Sequence, residues 1–110
     1  MENLNSDDDM QMSLTMASSM GIPLIIDFYT TWCGPCKTMS PEFEKLSVEY
    51  TGKAVFVKCD IDQAKDIAEN YGIESIPTFQ AWKDGNPLGQ VVGADLDGLK
   101  KMVEEAINTK

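Results

Sequence analysis

Two cysteines stand three residues apart in Trp32-Cys33-Gly34-Pro35-Cys36-Lys37, between an apolar run that reads as a strand and an amphipathic run that reads as a helix. Residues three apart on a helical turn are neighbours, with Cβ atoms about 5–6 Å apart. That separation suits a disulfide, so the pair can close and open with little backbone motion. With Cys33 at the N-cap, its sulfur lies where the first N–H groups of the helix point and where the helix dipole is positive. Pro35 has no N–H to give, but Cys36 keeps one and its thiol is a further donor. The thiolate of Cys33 is thereby favoured over the thiol. Cys36, one turn in, is expected to be buried and less acidic. Cys33 then attacks and Cys36 resolves. The same spacing is also half of a zinc site, but only Cys59 and carboxylates remain as further ligands and a second Cys pair is missing. No metal is expected.

Composition narrows the field further. The chain has 110 residues, which predicts a single domain spanning 1–110. Its formal net charge is −9 and all nine basic residues are Lys. Phosphate binding needs clustered positive charge, so neither nucleic acid nor an anionic membrane is an expected partner. There is no His, which removes the commonest general base and argues against triad-type hydrolysis. The longest apolar run, Ile22 to Ile26, is stopped by Asp27, far short of the roughly 20 residues that span a bilayer. The acidic start, without Lys before Lys37, fits neither a secretory signal nor a transit peptide. Three Cys is an odd number, which suits a reducing compartment rather than a disulfide-stapled secreted fold. The expected location is the cytoplasm.

The elements that must position the cysteines follow from periodicity. Ser6 with Asp7, Asp8 and Asp9 reads as an N-cap and an acidic first turn. A helix over 7–19 follows, with Met10, Leu14 and Ala17 on one face and at most a short edge strand before it. A frayed, Met-rich arm is the alternative. Pro23 to Thr30 reads as a buried strand, and Cys33 to Tyr50 as a helix that Pro41 should kink. Lys53 to Asp60 is a strand and Gln63 to Asn70 a short helix. Thr78 to Trp82 and Pro87 to Val92 are strands joined around Asp84-Gly85, a strong hairpin signal. Asp95 can cap a last helix running to Ile107. This order predicts an α/β fold, a central mixed sheet of four to five strands with helices on both faces.

The hexapeptide around the cysteines resembles the active site of the thioredoxin family, and the similarity runs from about Ile22 to Ile107. Asp27, Pro41, Lys58, Asp62, Ile76-Pro77-Thr78, Asp84-Gly85 and Gly93 carry it further. Residues 1–21 match only in length and helical character. The resemblance implies a thioredoxin fold and the reduction of disulfides in other proteins. It implies that Asp27, in an apolar strand, lies behind Cys36 and moves protons through water, with Lys58 beside it. A structural acid paired with Lys58 is the competing reading. Ile76-Pro77 resembles the family's cis-proline turn facing the disulfide, where the backbone of Ile76 would pair with an extended substrate. A trans proline at a strand start is the bland reading. Trp32, Ile61, Ile76, Val92, Gly93 and Ala94 would form an apolar groove around Cys33, plain core packing being the competitor for each. Gly34-Pro35 between the cysteines resembles the reductant branch of the superfamily rather than the oxidase or isomerase branches, which usually carry His there.

The implied partners are disulfide-containing proteins and, for regeneration, an NADPH-dependent flavoprotein thioredoxin reductase, with the chain itself a monomer that binds no cofactor. A redox-dependent binding module or subunit of a larger assembly is the alternative. Tyr29-Thr30-Thr31 departs from the family's more usual aromatic–Ala–acidic run, which could alter packing under Trp32. Trp82 is an extra aromatic expected in the core. Cys59 alternates with Val55 and Val57, which favours a buried small hydrophobe over a regulatory thiol.

Overall fold

The computed structural model describes residues 1–109; Lys110, the last residue of the expected domain, lies outside them. Among the described residues the chain forms β1 (Glu2–Leu4), α1 (Asp7–Met20), β2 (Leu24–Tyr29), α2 (Gly34–Glu49), β3 (Val55–Asp60), α3 (Lys65–Asn70), β4 (Thr78–Lys83), β5 (Asn86–Val92) and α4 (Leu96–Ile107). The strands make one sheet in the order β1-β3-β2-β4-β5. Strands β1 and β2 run parallel to β3, while β4 is antiparallel to both β2 and β5.

Strand β2 is central and apolar because both of its faces are covered. Leu24, Ile26 and Phe28 join Leu4, Met10, Val57 and Ile67 in one layer of the core. Ile25 joins Met39, Phe43, Leu46, Phe79 and Leu99 in the other, the layer under α2 and α4. Phe43 anchors α2 there, edge-on to Phe56 at 5.4 Å and tilted against Phe79 at 5.6 Å between ring centroids. Strand periodicity puts Asp27 on the face of Ile25, beneath α2.

The register brings several chain breaks to one end of the sheet. Tyr29 at the end of β2 is level with Asp60 at the end of β3. Phe28 pairs with Thr78 at the start of β4, and Thr78 with Val92 at the end of β5. The loops after β2, β3 and β5 and the loop before β4 therefore converge where α2 begins.

The N-terminal segment is built into the fold rather than frayed. Leu4 lies opposite Cys59, and Leu4 and Met10 are fully buried. The Oγ of Ser6 accepts from the Asp9 N–H at 3.2 Å, and the Asp9 carboxylate accepts from the Asn5 N–H at 3.0 Å. The buried face differs from the expected one: Met10, Ser13 and Ala17 face inward, and Leu14 is only half-buried. Helix α2 passes unbroken through Pro41, which is exposed. Helix α3 starts at Lys65 instead of Gln63, because the Gln63 and Ala64 N–H groups turn back to the Asp60 carbonyl. Asp84 and Gly85 both have positive φ, 51° and 78°, as a two-residue type I′ turn requires. Trp82 is half-buried, edge-on to Tyr71 at 5.5 Å.

Because Ser6 supplies the side-chain cap of α1, Ser6→Ala is expected to lower stability by about 1 kcal/mol. A urea titration should show the loss as a lower midpoint with an unchanged slope.

Candidate active site

Helix α2 starts at the sulfur. Cys33 is its N-cap, in extended backbone conformation, and its Sγ accepts the Cys36 N–H at 3.2 Å. Cys33 and Cys36 are joined as a disulfide with Cα atoms 5.2 Å apart. Cys36 is buried as expected, at 4% exposed, but Cys33 is buried equally, at 5%. Helix position is what separates them, since the capping N–H reaches only Cys33. An N–H aimed at sulfur, at the positive end of a 16-residue helix, stabilises a thiolate there once the bond opens.

The surrounding loops present the rest. Trp32 is 69% exposed, and its indole N–H donates to the Asp62 carboxylate at 2.7 Å, tying the loop after β2 to the loop after β3. The Ile61 N–H donates to the Tyr29 carbonyl at 3.0 Å across the same gap. The Ile76-Pro77 bond is cis, so the trans reading is set aside. The Gly93 N–H donates to the Pro77 carbonyl at 2.8 Å and clamps the loop after β5 to this turn. Val92 and Ala94 are exposed, and Ile76 and Gly93 are half-buried. Ile61 is also half-buried, but its side chain packs on the core layer that holds Leu4 and Met10. Core packing accounts for Ile61 at least in part.

Asp27 is 2% exposed, and its Oδ1 has no hydrogen-bond partner. Burial pushes its carboxyl up to about 7, against the pull of the Lys58 charge and with a small push from Glu44. Lys58 is level with Asp27 across the β2–β3 pairing, yet the two form no ion pair. The Lys58 ammonium donates instead to Ser40 Oγ at 2.7 Å and stands 4.7 Å from the centroid of the Tyr29 ring. The paired structural acid is therefore not what is built. Asp27, Cys36, Ser40 and Lys58 line one cavity of about 190 Å³. Ser40 follows Cys36 by one helical turn, and that spacing is the signal by which sequence reasoning could have found it.

Cys59 is fully buried on the opposite face of the sheet, among Leu4, Met10 and Ile67. Burial, and then the charges of Asp60, Asp66 and Asp27, push its thiol up to about 12. It is a poor nucleophile at neutral pH.

The family model named Thioredoxin matches residues 9–105. The chain belongs to the thioredoxin family. An H-type thioredoxin of Chlamydomonas reinhardtii is 48% identical over 81 residues, covering 74% of this chain and 72% of that one. A relative from Saccharomyces cerevisiae named as mitochondrial thioredoxin-3 is 45% identical over 82 residues, covering 74% of this chain and 64% of its own length. The crystal structure of a reduced Schistosoma mansoni thioredoxin pre-protein superposes with a TM-score of 0.87 at 38% identity, over 94% of this chain and 95% of that one. The mixed five-stranded sheet with flanking helices is the thioredoxin fold. Family membership and the closed Cys33–Cys36 pair establish the function as protein disulfide reduction by dithiol–disulfide exchange.

A raised carboxyl makes a signed prediction about stability. Folded Asp27 binds its proton up to about pH 7, whereas its ordinary value is 3.8. The folded state thus binds more protons between these values, and stability is lost as pH rises from about 4 to about 7. Asp27→Asn should be the more stable protein at pH 9, by roughly 2–4 kcal/mol, and the gap should shrink at pH 5. Denaturant melts of both proteins at the two pH values check it; equal stability at pH 9 would contradict the buried, unpaired carboxylate.

Proposed function

We propose that the chain carries out this exchange with Cys33 as nucleophile, Cys36 as resolving thiol and Asp27 as proton carrier. The observation that carries the reading is the Cys36 N–H donated to the Cys33 sulfur at the head of α2, one helical turn from the cavity that Cys36 shares with Asp27. The Cys33 thiolate attacks a substrate disulfide, forming a mixed disulfide and releasing the first substrate thiolate. Cys36 gives up its proton towards the Asp27 carboxylate and attacks the Cys33 sulfur. The Cys33–Cys36 bond forms, the bond to substrate breaks, and the second substrate sulfur leaves with the electron pair and takes a proton from solvent. Two electrons have passed to the substrate.

The remaining residues take supporting roles in this reading. Lys58 holds the ionised form of Asp27 within reach of neutral pH, since its charge opposes the effect of burial. Gly34 and Pro35 keep the two sulfurs one turn apart. The Ile76-Pro77 turn offers backbone to an extended substrate segment, as in strand addition. Trp32, Val92, Gly93 and Ala94, with the edge of Ile61, give that segment an apolar floor. The net charge of −9 favours substrates with basic surfaces around the disulfide.

Regeneration is assigned to an NADPH-dependent flavoprotein thioredoxin reductase, and the working unit to a monomer without a cofactor of its own. The compartment we favour is the cytoplasm, because a reductant needs a reducing surrounding to be returned to the dithiol. The mitochondrial relative marks the competing location.

Insulin reduction tests the reading. The chain should accelerate precipitation of insulin chains by dithiothreitol, and should turn over with NADPH and a thioredoxin reductase. Cys33→Ser should abolish both activities. Cys36→Ser should still attack but accumulate as a stable mixed disulfide, visible as an adduct by mass spectrometry. In the reduced protein at neutral pH, iodoacetamide should label Cys33 well before Cys36; the reverse order would overturn the assignment of nucleophile.

A further inference from the structure

Among the described residues two buried side-chain oxygens have no hydrogen-bond partner: Asp27 Oδ1 and Thr30 Oγ1. Both residues are 2% exposed, and both line the cavity that contains Cys36. A buried hydroxyl that bonds to nothing costs free energy, as does a buried carboxylate oxygen. One feature would relieve both costs, namely water held between them. At about 190 Å³ the cavity has room for it, and its lining supplies the several polar partners that buried water needs. Thr30 follows β2 directly, three residues after Asp27 and three before Cys33.

We propose that Thr30 is a positioning residue for the resolving step, its hydroxyl and the Asp27 carboxylate together holding the water through which the Cys36 proton leaves. This rests on the reading of Asp27 as proton carrier. In the step, the Cys36 S–H proton passes to that water and a water proton passes to Asp27, which becomes the neutral acid. The Cys36 thiolate then attacks Cys33, the bond to substrate breaks, and Asp27 later returns its proton to solvent. The Thr30 hydroxyl donates into this network, which favours the ionised carboxylate. Removing it therefore raises the pKa of Asp27 and moves the resolving step to higher pH. The other charged or titratable groups facing Asp27 are Cys36, Lys37 and Glu44 from α2, Lys58 from β3 and Tyr29 from β2, while its β4 neighbour Phe79 carries none. All of them are unchanged by substitution at Thr30.

Stopped-flow reaction of the reduced protein with dithio-bis-nitrobenzoate separates the two steps. The phase that depends on probe concentration is attack by Cys33; the phase that does not is resolution by Cys36. The pH profile of the second phase is measured for wild type, Thr30→Val, Thr30→Ser and Asp27→Asn. Wild type should show an inflection that Asp27→Asn lacks. Thr30→Val, which keeps the shape and loses the hydroxyl, should keep the inflection about one unit higher and resolve up to about tenfold slower near pH 6. Thr30→Ser should restore the wild-type profile, and the first phase should be alike in all four. Thr30→Ala gives a second hydroxyl-free chain, with the same shift expected, should valine not be accommodated. An inflection that persists in Asp27→Asn would overturn the proton-carrier reading and this proposal with it. An inflection lost in Asp27→Asn but unmoved in Thr30→Val would overturn the role of Thr30 alone. A serine variant that behaves like the valine one would overturn it as well, because the hydroxyl would not be the cause.

Discussion

A single hydrogen bond at the start of one helix organises this molecule: the Cys36 N–H donated to the Cys33 sulfur. The first N–H groups of any helix lack partners within it, so the residue at the cap decides what they stabilise. Here the cap is a sulfur, and the unmet donors of α2 become a device for favouring its charge. The device works only if α2 begins at Cys33 and stays there. That position is fixed at a distance, by β2 buried on both faces and by Met39, Phe43 and Leu46 pressed into the core layer above it. A close-packed interior yields little, so the core transmits its rigidity to the Cys33 sulfur.

The two faces of the sheet divide the chemistry. Asp27 and Lys58 belong to the face under α2, where Cys36 also lies. Cys59 belongs to the other, in an apolar layer that keeps its thiol protonated. Residues adjacent in sequence, Lys58 and Cys59, thus have opposite chemical fates because a strand sends alternate side chains to opposite sides. The arrangement on the α2 face is costly. A carboxyl is buried without an ion-pair partner, while the Lys58 ammonium on the neighbouring strand is held by Ser40 and Tyr29. The consequence is a carboxyl that changes its protonation near neutral pH in the cavity it shares with Cys36. Burying such a group costs stability, and carboxyls perturbed in this way cluster at sites where an acid or base acts near neutral pH.

The loops at this end of the sheet are joined by backbone and indole hydrogen bonds that cross between them. Trp32 is tied to Asp62, Tyr29 to Ile61, and Pro77 to Gly93. Each bond joins segments far apart in the chain. The exposed indole and the half-buried turn at Ile76 are therefore presented on a braced surface.

Much of this was determined by sequence alone. The Cys33–Cys36 spacing, the Ser6 and Asp95 caps, the Asp84-Gly85 turn and the apolar run broken by Asp27 are local signals, and each acts over one turn or one strand. They suffice to order the elements, to put Cys33 at a helix start and to mark Asp27 as costly. The relations between elements were decided only by tertiary structure. Which atom Lys58 binds depends on Ser40, brought beside it by the packing of α2 on β3. That Cys33 and Cys36 are equally buried is a property of the closed fold and not of their spacing. That the unpartnered oxygens of Asp27 and Thr30 belong to residues around one cavity with Cys36 depends on where β2 stops against α2. Local propensity and periodicity act over a few bonds, whereas burial and polar pairing are set by chain segments that meet only when the sheet and its two layers have closed.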